Sequence, residues 1–540
     1  MVGFTAGGPV EDDHTFLIHN IRGYTIQADT LTNFDAMFVE HGKVYATGRD
    51  SSLRARFPGH KQVNGRGHVL LPGMIDAHGH IMSLGFSRLT VNLAGTRSLE
   101  EALERVVHYA EQHPEAAWIQ GRGWNQTLWG ENKFPVAADL DRAVGDRPVW
   151  LVRIDSHAGW ANSLALQAAG ITAGTPDPPG GQIIRHADGS PTGVLVDNAM
   201  LSGMVPEPTA GEKRRALDEA LTELRSAGLT GVHDAGTGIE PYNLFKEYGE
   251  NGRLTTRIYA MIDGTGETFD RMGKDGPQTL FQDKLVLRSV KIITDGALGS
   301  RGAALLESYS DDPDNHGLLF HDAAGLASKI EKAALRGFQV NIHAIGDRAN
   351  RLVLDAHERV RRRHGKTDLR HRIEHAQVVS PGDFPRFAEL NIIASVQPTH
   401  ATSDMNMAGA RLGQQRIRGA YAWRTLWDQK IPVASGSDFP IEETNPFHGL
   451  FSAVARTDLN GHPNGGWYPE QAMTREEAFR SFTINAAFAA HQEKVTGSLE
   501  RGKWADFILV DKDPFAISLS EIPTIRVLET WLGGDRVYKR

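Results

Sequence analysis

Cysteine is absent from all 540 residues of this chain. Disulfide bonds, a thiolate nucleophile and a cysteine-bound zinc ion are therefore excluded, although the redox compartment stays open. Any metal ion that the protein binds must be held by nitrogen and oxygen ligands.

Long apolar runs and excess positive charge are also missing. No window approaches the roughly 18 uninterrupted apolar residues that a membrane span requires, and the N-terminus lacks a basic stretch followed by an apolar one. The formal net charge of -8 provides no basic field for nucleic acid or an anionic membrane. We therefore expect a cytoplasmic protein with a small-molecule partner, no nucleic acid and no membrane partner. A secreted form whose signal peptide has been removed is the alternative.

Short β-rich runs separated by turns occupy both ends of the chain. TFLIHNIRGYTI and AMFVEHGKVYATG lie near the start, and WADFILVDKDPF lies near the end, with glycine and aspartate between the runs. Because chain ends often lie close together, this pattern predicts one small β-sandwich built from residues 1–70 and 490–540.

The region 71–489 alternates strand-like runs with helical patterns. Eight such runs are present: GMIDAH (73–78), LTGVHDAG (229–236), TTRIYAMID (255–263), LVLRSVKIITDG (285–296), FQVNIHAIGD (338–347), HRIEHA (371–376), NIIASVQP (391–398) and VASGSD (433–438). Eight strands with intervening helices predict an α/β fold of the (β/α)8 TIM-barrel type. The gap after the first run is too long for one crossover helix, and it predicts an inserted subdomain at about residues 100–212.

Six residues with metal-binding or proton-transfer chemistry lie at or near the carboxyl ends of these runs, where a barrel forms its active site. They are His78, His80, Lys291, His343, His375 and Asp438. Strand alternation places the first two on one side, so they can share a metal ion. The lysine stands in an apolar strand, where burial lowers an amine pKa and permits reaction with carbon dioxide to a bridging carbamate. Taken singly, each residue has an ordinary alternative: the lysine could extend to solvent, the histidines could be core residues and the aspartate could cap the following segment. Six such residues at the same ends of the strands favour a metal site.

Several segments resemble the binuclear amidohydrolase superfamily, and in particular its YtcJ-like branch (amidohydrolase family 3), which contains N-substituted formamide deformylases. They include PGMIDAHGH, VKIITDGALGSRGA, NIHAIGDRA, RIEHAQ and ASGSDFPIEETNPFHGL. The resemblance implies two divalent metal ions, one bound by His78, His80 and Asp438, the other by His343 and His375, with N6-carboxylated Lys291 as the bridge. Zinc is the expected metal, and manganese and iron are alternatives.

The implied activity is hydrolysis of a non-peptide C–N bond, in an amide, N-acyl or N-formyl compound, by a metal-activated hydroxide. Asp438 would be both ligand and catalytic proton shuttle. Alternatives are hydrolysis of esters or lactones at the same site and a non-catalytic regulator on the same scaffold. A mononuclear deaminase is disfavoured because such enzymes carry a glutamate close after the strand-five histidine, whereas Ala344–Asp347 follow His343 here.

Six further residues are expected to line the mouth of the barrel and contact the substrate: Trp124, His157, Asp295, Arg301, Gln397 and His400. The insertion is rich in tryptophan, which favours an apolar or aromatic substrate group, although packing in the core of the insertion explains the tryptophans as well. We also expect the chain to form a homodimer.

Overall fold

The computed structural model describes residues 14–129, 133–154, 158–178, 181–200 and 205–540. The chain divides into two compact units, one formed by the residues up to His80 together with Leu221–Arg540, the other by Ile81–Ala220. Among the described helices, none has the length and apolar character needed to cross a membrane.

A parallel sheet of eight strands forms the centre of the first unit, which confirms the predicted TIM barrel. We number these strands one to eight in chain order: Met74–Gly79, Leu229–Thr237, Arg257–Asp263, Leu285–Ile293, Gln339–Ala344, Arg372–His375, Ile393–Val396 and Val433–Ser435. Consecutive strands pair in parallel. The short strand Gln278–Leu280 adds an antiparallel partner to strand four.

The seam between strands eight and one is closed by individual contacts rather than by a ladder in the described structure. Gly79 and Phe439 form a single parallel bridge. The backbone N–H of Asp438 donates to His78 O at 2.7 Å, and that of His80 donates to Phe439 O at 2.9 Å. The seam therefore brings the segment from His78 to His80 against the loop after strand eight.

Helices alternate with the barrel strands along the chain. Their bounds are Ala210–Ser226, Ile239–Glu250, Glu267–Met272, Ala323–Leu335, Asp347–His364, Phe384–Leu390, Pro398–Arg416, Trp423–Asp428, Pro446–Ala455, Arg475–Ser481 and Ile484–Ala489. Ala323–Leu335 shows why they form: the Asp322 side chain caps the helix by accepting from Gly325 N–H. Leu326, Ile330 and Ala333 then recur at helical spacing and are buried.

The terminal strands form one hydrogen-bonded sheet. Its members are Phe16–Gln27, Thr30–Glu40, Lys43–Gly48, Lys61–Asn64 and Val69–Pro72 from the N-terminal part, and Phe507–Val510, Val527–Leu532 and Asp535–Lys539 from the C-terminal part. Val69–Pro72 pairs with Phe507–Val510 and so joins the two chain ends. The first strand pairs with Thr30–Glu40 on one edge, and on its other edge its partner changes from Lys61–Asn64 to Val69–Pro72 after His19. The sheet encloses an apolar core that includes Phe507. The helix Asp50–Arg56 packs against its first strands.

A buried ion pair fastens this terminal sheet to barrel strand three. Arg257 Nε lies 2.6 Å from Asp506 Oδ2, and both side chains are 3% exposed. Because removing one partner leaves an uncompensated buried charge, we expect Asp506→Ala to lower the free energy of unfolding by about 3–5 kcal/mol in urea titrations. The control is Asp511→Ala, whose partner Arg526 is 65% exposed. Its loss should stay at or below about 1 kcal/mol, and equal losses would contradict the prediction.

The second unit contains its own six-stranded sheet. The strands are Val91–Asn92, Ile119–Trp124, Val149–Arg153, Ala158–Ala161, Gly181–Arg185 and Pro191–Asp197, and the helices are Ile81–Arg88, Leu99–Gln112, Ala137–Ala143 and Ser163–Ala168. Trp124 is fully buried in this unit's core, where its Nε1–H donates to Leu151 O at 2.8 Å and its ring packs against Trp129 and Trp160.

Candidate metal centre

The carboxyl ends of strands one and six and the loop after strand eight bring together His78, His375 and Asp438. One ligand atom from each lies within 4.8 Å of the others, and all three residues are buried. His78 Nε2 lies 3.6 Å from Asp438 Oδ1, and the centroids of the two imidazoles are 5.0 Å apart. Two imidazoles and a carboxylate at this spacing form a donor set suited to a divalent cation.

Two members of this set have backbone conformations that non-glycine residues seldom adopt. The φ angles are 74° at His375 and 60° at Asp438. A positive φ interrupts the extended geometry of a strand, so both residues lie where the regular strand stops. Such conformations are maintained by the surrounding structure and are typical of functional sites.

His80 and His343 extend the cluster on either side. His80 Nε2 lies 3.0 Å from Asp438 Oδ1, and a third of its side chain is exposed. The His343 ring centroid lies 4.5 Å from that of His375. His343 Nε2 is buried and has no hydrogen-bond partner in the described part of the chain. Five of the six residues expected to bind metal therefore lie in one contiguous group.

Lys291, the sixth, is 5% exposed on strand four. Within the described ranges its amine forms no hydrogen bond or ion pair. Burial lowers the pKa of this amine, and the neighbouring carboxylates of Glu374 and Asp438 oppose that shift. The surroundings thus hold the pKa of this amine below its usual range.

The protonation states also fit a metal site. Burial lowers the pKa of His78 to about 4, so its imidazole is neutral at pH 7. Its Nε2 is buried and lacks a hydrogen-bond partner among the described residues. Burial alone would raise the pKa of Asp438, but the surrounding imidazoles hold it well below its usual range. Neutral imidazoles beside an ionised carboxylate are the states in which these groups bind metal.

Three of the residues expected to contact substrate lie beside this cluster. The carboxylate of Asp295 accepts from the backbone N–H groups of Ala304, Ile345 and Gly346 at 2.9, 3.0 and 2.8 Å, and so joins the loops after strands four and five. Gln397 Oε1 lies 2.7 Å from His375 Nδ1. The ring of His400 is parallel to that of His375 at 6.0 Å, and its Nε2 lies 3.9 Å from Asp438 Oδ2.

The structure does not add the other three to this cluster. Arg301 forms an ion pair with Asp311, with Nη2 3.0 Å from Oδ2. Trp124 belongs to the core of the second unit. His157 lies outside the described residues.

Sequence reasoning missed a charged network inside the barrel. Glu374 Oε2 lies 2.5 Å from His78 Nδ1, and Glu374 Oε1 lies 2.8 Å from Arg372 Nε. Arg372 Nη1 lies 2.8 Å from His233 Nδ1, on strand two. The available signal was alternation: Arg372 and Glu374 are two residues apart on one strand, so both face the barrel interior.

Asp76 was missed as well, and it connects the two sides of the seam. Its Oδ2 accepts from Ser437 Oγ at 2.7 Å, and its Oδ1 accepts from His78 N–H at 3.0 Å. Gly436 fits closely beneath this contact, because a Cβ there would lie 2.5 Å from both Asp76 Oδ1 and His78 N. The spacing between His78 and Asp438 therefore depends on a glycine at position 436.

We expect Gly436→Ala to separate His78 from Asp438 and to lower metal affinity by roughly 10–100-fold, the range typical when a partner that orients a metal ligand is disturbed. Metal titration with a competing chelator measures this. Gly382→Ala is the control, because a Cβ there meets nothing within 4 Å. Wild-type affinity in Gly436→Ala would show that the seam does not position the ligands.

A parallel barrel with a histidine and aspartate cluster at its carboxyl end is the arrangement of a metal-dependent hydrolase. Comparison with known sequences defines the class further, because the sequence profile of the amidohydrolase family matches residues 61–538. The chain belongs to the amidohydrolase family.

Individual relatives are similar to this chain over nearly its whole length. The putative amidohydrolase YtcJ of Bacillus subtilis (strain 168) is 34% identical over 94% of this chain and 96% of its own length. The N-substituted formamide deformylase of Arthrobacter pascens is 29% identical over 94% of this chain and 95% of its own. The crystal structure of an uncharacterized metal-dependent hydrolase from Pyrococcus horikoshii OT3 covers 94% of this chain and 99% of that one, with a TM-score of 0.79 and 26% identity. The predicted family resemblance is confirmed.

Proposed function

We propose that this amidohydrolase cleaves a non-peptide C–N bond in an N-formyl or other N-acyl amide. The observation that carries the proposal is the buried group of His78, His375 and Asp438 together with the buried amine of Lys291, which interacts electrostatically with Asp438. The similarity to an N-substituted formamide deformylase along almost the full length supports the amide over other carbonyl substrates.

We further propose two divalent metal ions, with zinc as the first candidate and manganese or iron as alternatives. His78, His80 and Asp438 would hold one ion, and His343 and His375 the other. When bound, divalent cations supply Lewis-acid polarisation of a carbonyl oxygen and a nucleophile at neutral pH.

Lys291 would bridge the two positions after carboxylation. Its uncharged amine attacks carbon dioxide, a C–N bond forms and one proton is released, which leaves a carbamate anion. This step requires the unprotonated amine that burial favours. It also replaces a buried amine by two anionic oxygens that can serve as ligands.

Asp438 is the proposed proton shuttle. Its Oδ1 faces His80 and His78, whereas its Oδ2 lies on the side of His400. The ionised carboxylate accepts a proton from the attacking water and returns it to the nitrogen that departs. An amine departs poorly unless it is protonated, so amide hydrolysis depends on this second transfer.

A substrate screen tests the proposal. The zinc-loaded protein is assayed with N-substituted formamides, longer N-acyl amides, aryl esters and lactones, and metal content is measured on the same samples. We expect the highest kcat/KM with the formamides or N-acyl amides. Faster turnover of esters or lactones would assign the site to those substrates instead. Metal-loaded protein without turnover of any of them would support a non-catalytic role.

A further inference from the structure

In two histidines of the cluster, Nδ1 points away from the cluster and contacts a side-chain oxygen. One of these oxygens belongs to a carboxylate and the other to a neutral amide. His78 Nδ1 lies 2.5 Å from Glu374 Oε2, and His375 Nδ1 lies 2.7 Å from Gln397 Oε1. A carboxylate or amide oxygen accepts hydrogen bonds and cannot donate them. Each Nδ1 therefore carries the proton, and each Nε2 keeps a lone pair for a metal ion.

The partner of His78 is an anion. Arg372 holds both carboxylate oxygens of Glu374, with Nε 2.8 Å from Oε1 and Nη2 3.1 Å from Oε2. Glu374 and Arg372 are both fully buried. Because a guanidinium that holds both oxygens of a carboxylate stabilises the anion, Glu374 is the charged acceptor of the two.

The partner of His375 is neutral. Gln397 is 4% exposed, and its Nε2 amide group has no hydrogen-bond partner in the portion of the chain that the structure describes. An anionic acceptor at Nδ1 withdraws the ring proton more strongly than a neutral amide does. It therefore makes Nε2 the more basic donor, as in carboxylate–histidine–zinc arrangements.

We propose that Glu374 and Gln397, as positioning residues that bind no metal themselves, give the two metal positions unequal affinities, the tighter position being that of His78. The inference rests on the proposed binuclear centre, in which His78 and His375 belong to different metal ions. One position would then fill before the other as metal becomes available.

The test is a zinc titration of the metal-free protein against a chelator of known affinity. We expect the wild-type chain to bind two ions in two steps at least about tenfold apart. Glu374→Gln should weaken the tighter step by roughly 10–100-fold, the range typical of such partners. Gln397→Glu should strengthen the weaker step, which reduces the gap between the two.

Glu374→Gln leaves the buried charge of Arg372 without its carboxylate partner, and this variant could fail to fold. In that case the result with Gln397→Glu decides the test. Asp383→Asn is the control: it removes a carboxylate charge from a partly buried contact with Arg351 and Arg386 and should leave both steps unchanged. Circular dichroism monitors the fold of every variant.

The outcomes separate this inference from the proposed function. Two ions bound with equal affinity by the wild-type chain, or a weaker step that Gln397→Glu leaves unchanged, would overturn the inference and leave the binuclear hydrolase intact. Binding of a single ion would overturn both.

Discussion

Lys291→Ala is expected to lower kcat/KM for amide hydrolysis by on the order of 10³-fold, about 4 kcal/mol of transition-state stabilisation, and to remove about one metal ion per chain. The variant loses the group that is proposed to become the bridging carbamate. A methyl group at position 291 also leaves a void beside Asp438 and the histidines. Steady-state kinetics and metal analysis of the same preparation measure both effects.

The control for this prediction is Lys284→Ala. Lys284 immediately precedes strand four, whereas Lys291 lies near its carboxyl end, and burial lowers the pKa of both amines. Lys284→Ala should retain wild-type metal content and activity. A short carboxylic acid such as propionate should partly restore Lys291→Ala, since its two oxygens can occupy the place of the carbamate. Full activity of Lys291→Ala without any additive would show that the binuclear assignment is wrong.

The barrel could be predicted well from the sequence because the alternation of strand and helix patterns is a local signal. All eight strands begin and end within three residues of their predicted bounds. The largest differences lie at the carboxyl ends of strands four, five and eight, each of which stops three residues before its predicted bound. Strand four stops at Ile293: Thr294 N–H still donates to His343 O on strand five, whereas Gly296 N–H donates to Gly302 O in the following loop. The placement of ligands at the carboxyl ends of strands followed from the same regularity.

The partners of the ligands could not be predicted in this way, because they depend on which residues meet across the barrel. Gln397 and Asp295 were expected to face the substrate. The structure shows hydrogen bonds of Gln397 to His375 and of Asp295 to three backbone N–H groups. Glu374 was not predicted at all, since its role depends on side chains of strands one and six meeting across the barrel. A polar residue near a site has the same sequence signal whether it faces a substrate or another side chain.

Asp438→Asn is expected to reduce amide hydrolysis by roughly 10²–10⁴-fold in kcat, the usual contribution of a positioned acid–base group. An asparagine has nearly the same shape and keeps an oxygen that can face His80 Nε2, which lies 3.0 Å from Asp438 Oδ1. It cannot accept and return a proton at neutral pH. The loss should therefore appear mainly in kcat, with part of the metal content retained.

The substrate dependence of this loss separates the two proton transfers. When a nitrophenyl ester is cleaved, the nitrophenolate leaves as a stable anion and needs no proton. An amide nitrogen, in contrast, must be protonated before it departs. Asp438→Asn should therefore reduce amide hydrolysis at least about tenfold more than aryl ester hydrolysis, a difference of about 1.4 kcal/mol in activation free energy. Asp383→Asn, in which a carboxyl of similar burial is changed away from the cluster, should affect neither substrate. Equal losses for amide and ester would mean that Asp438 acts only on the attacking water, and that the leaving nitrogen takes its proton from another group.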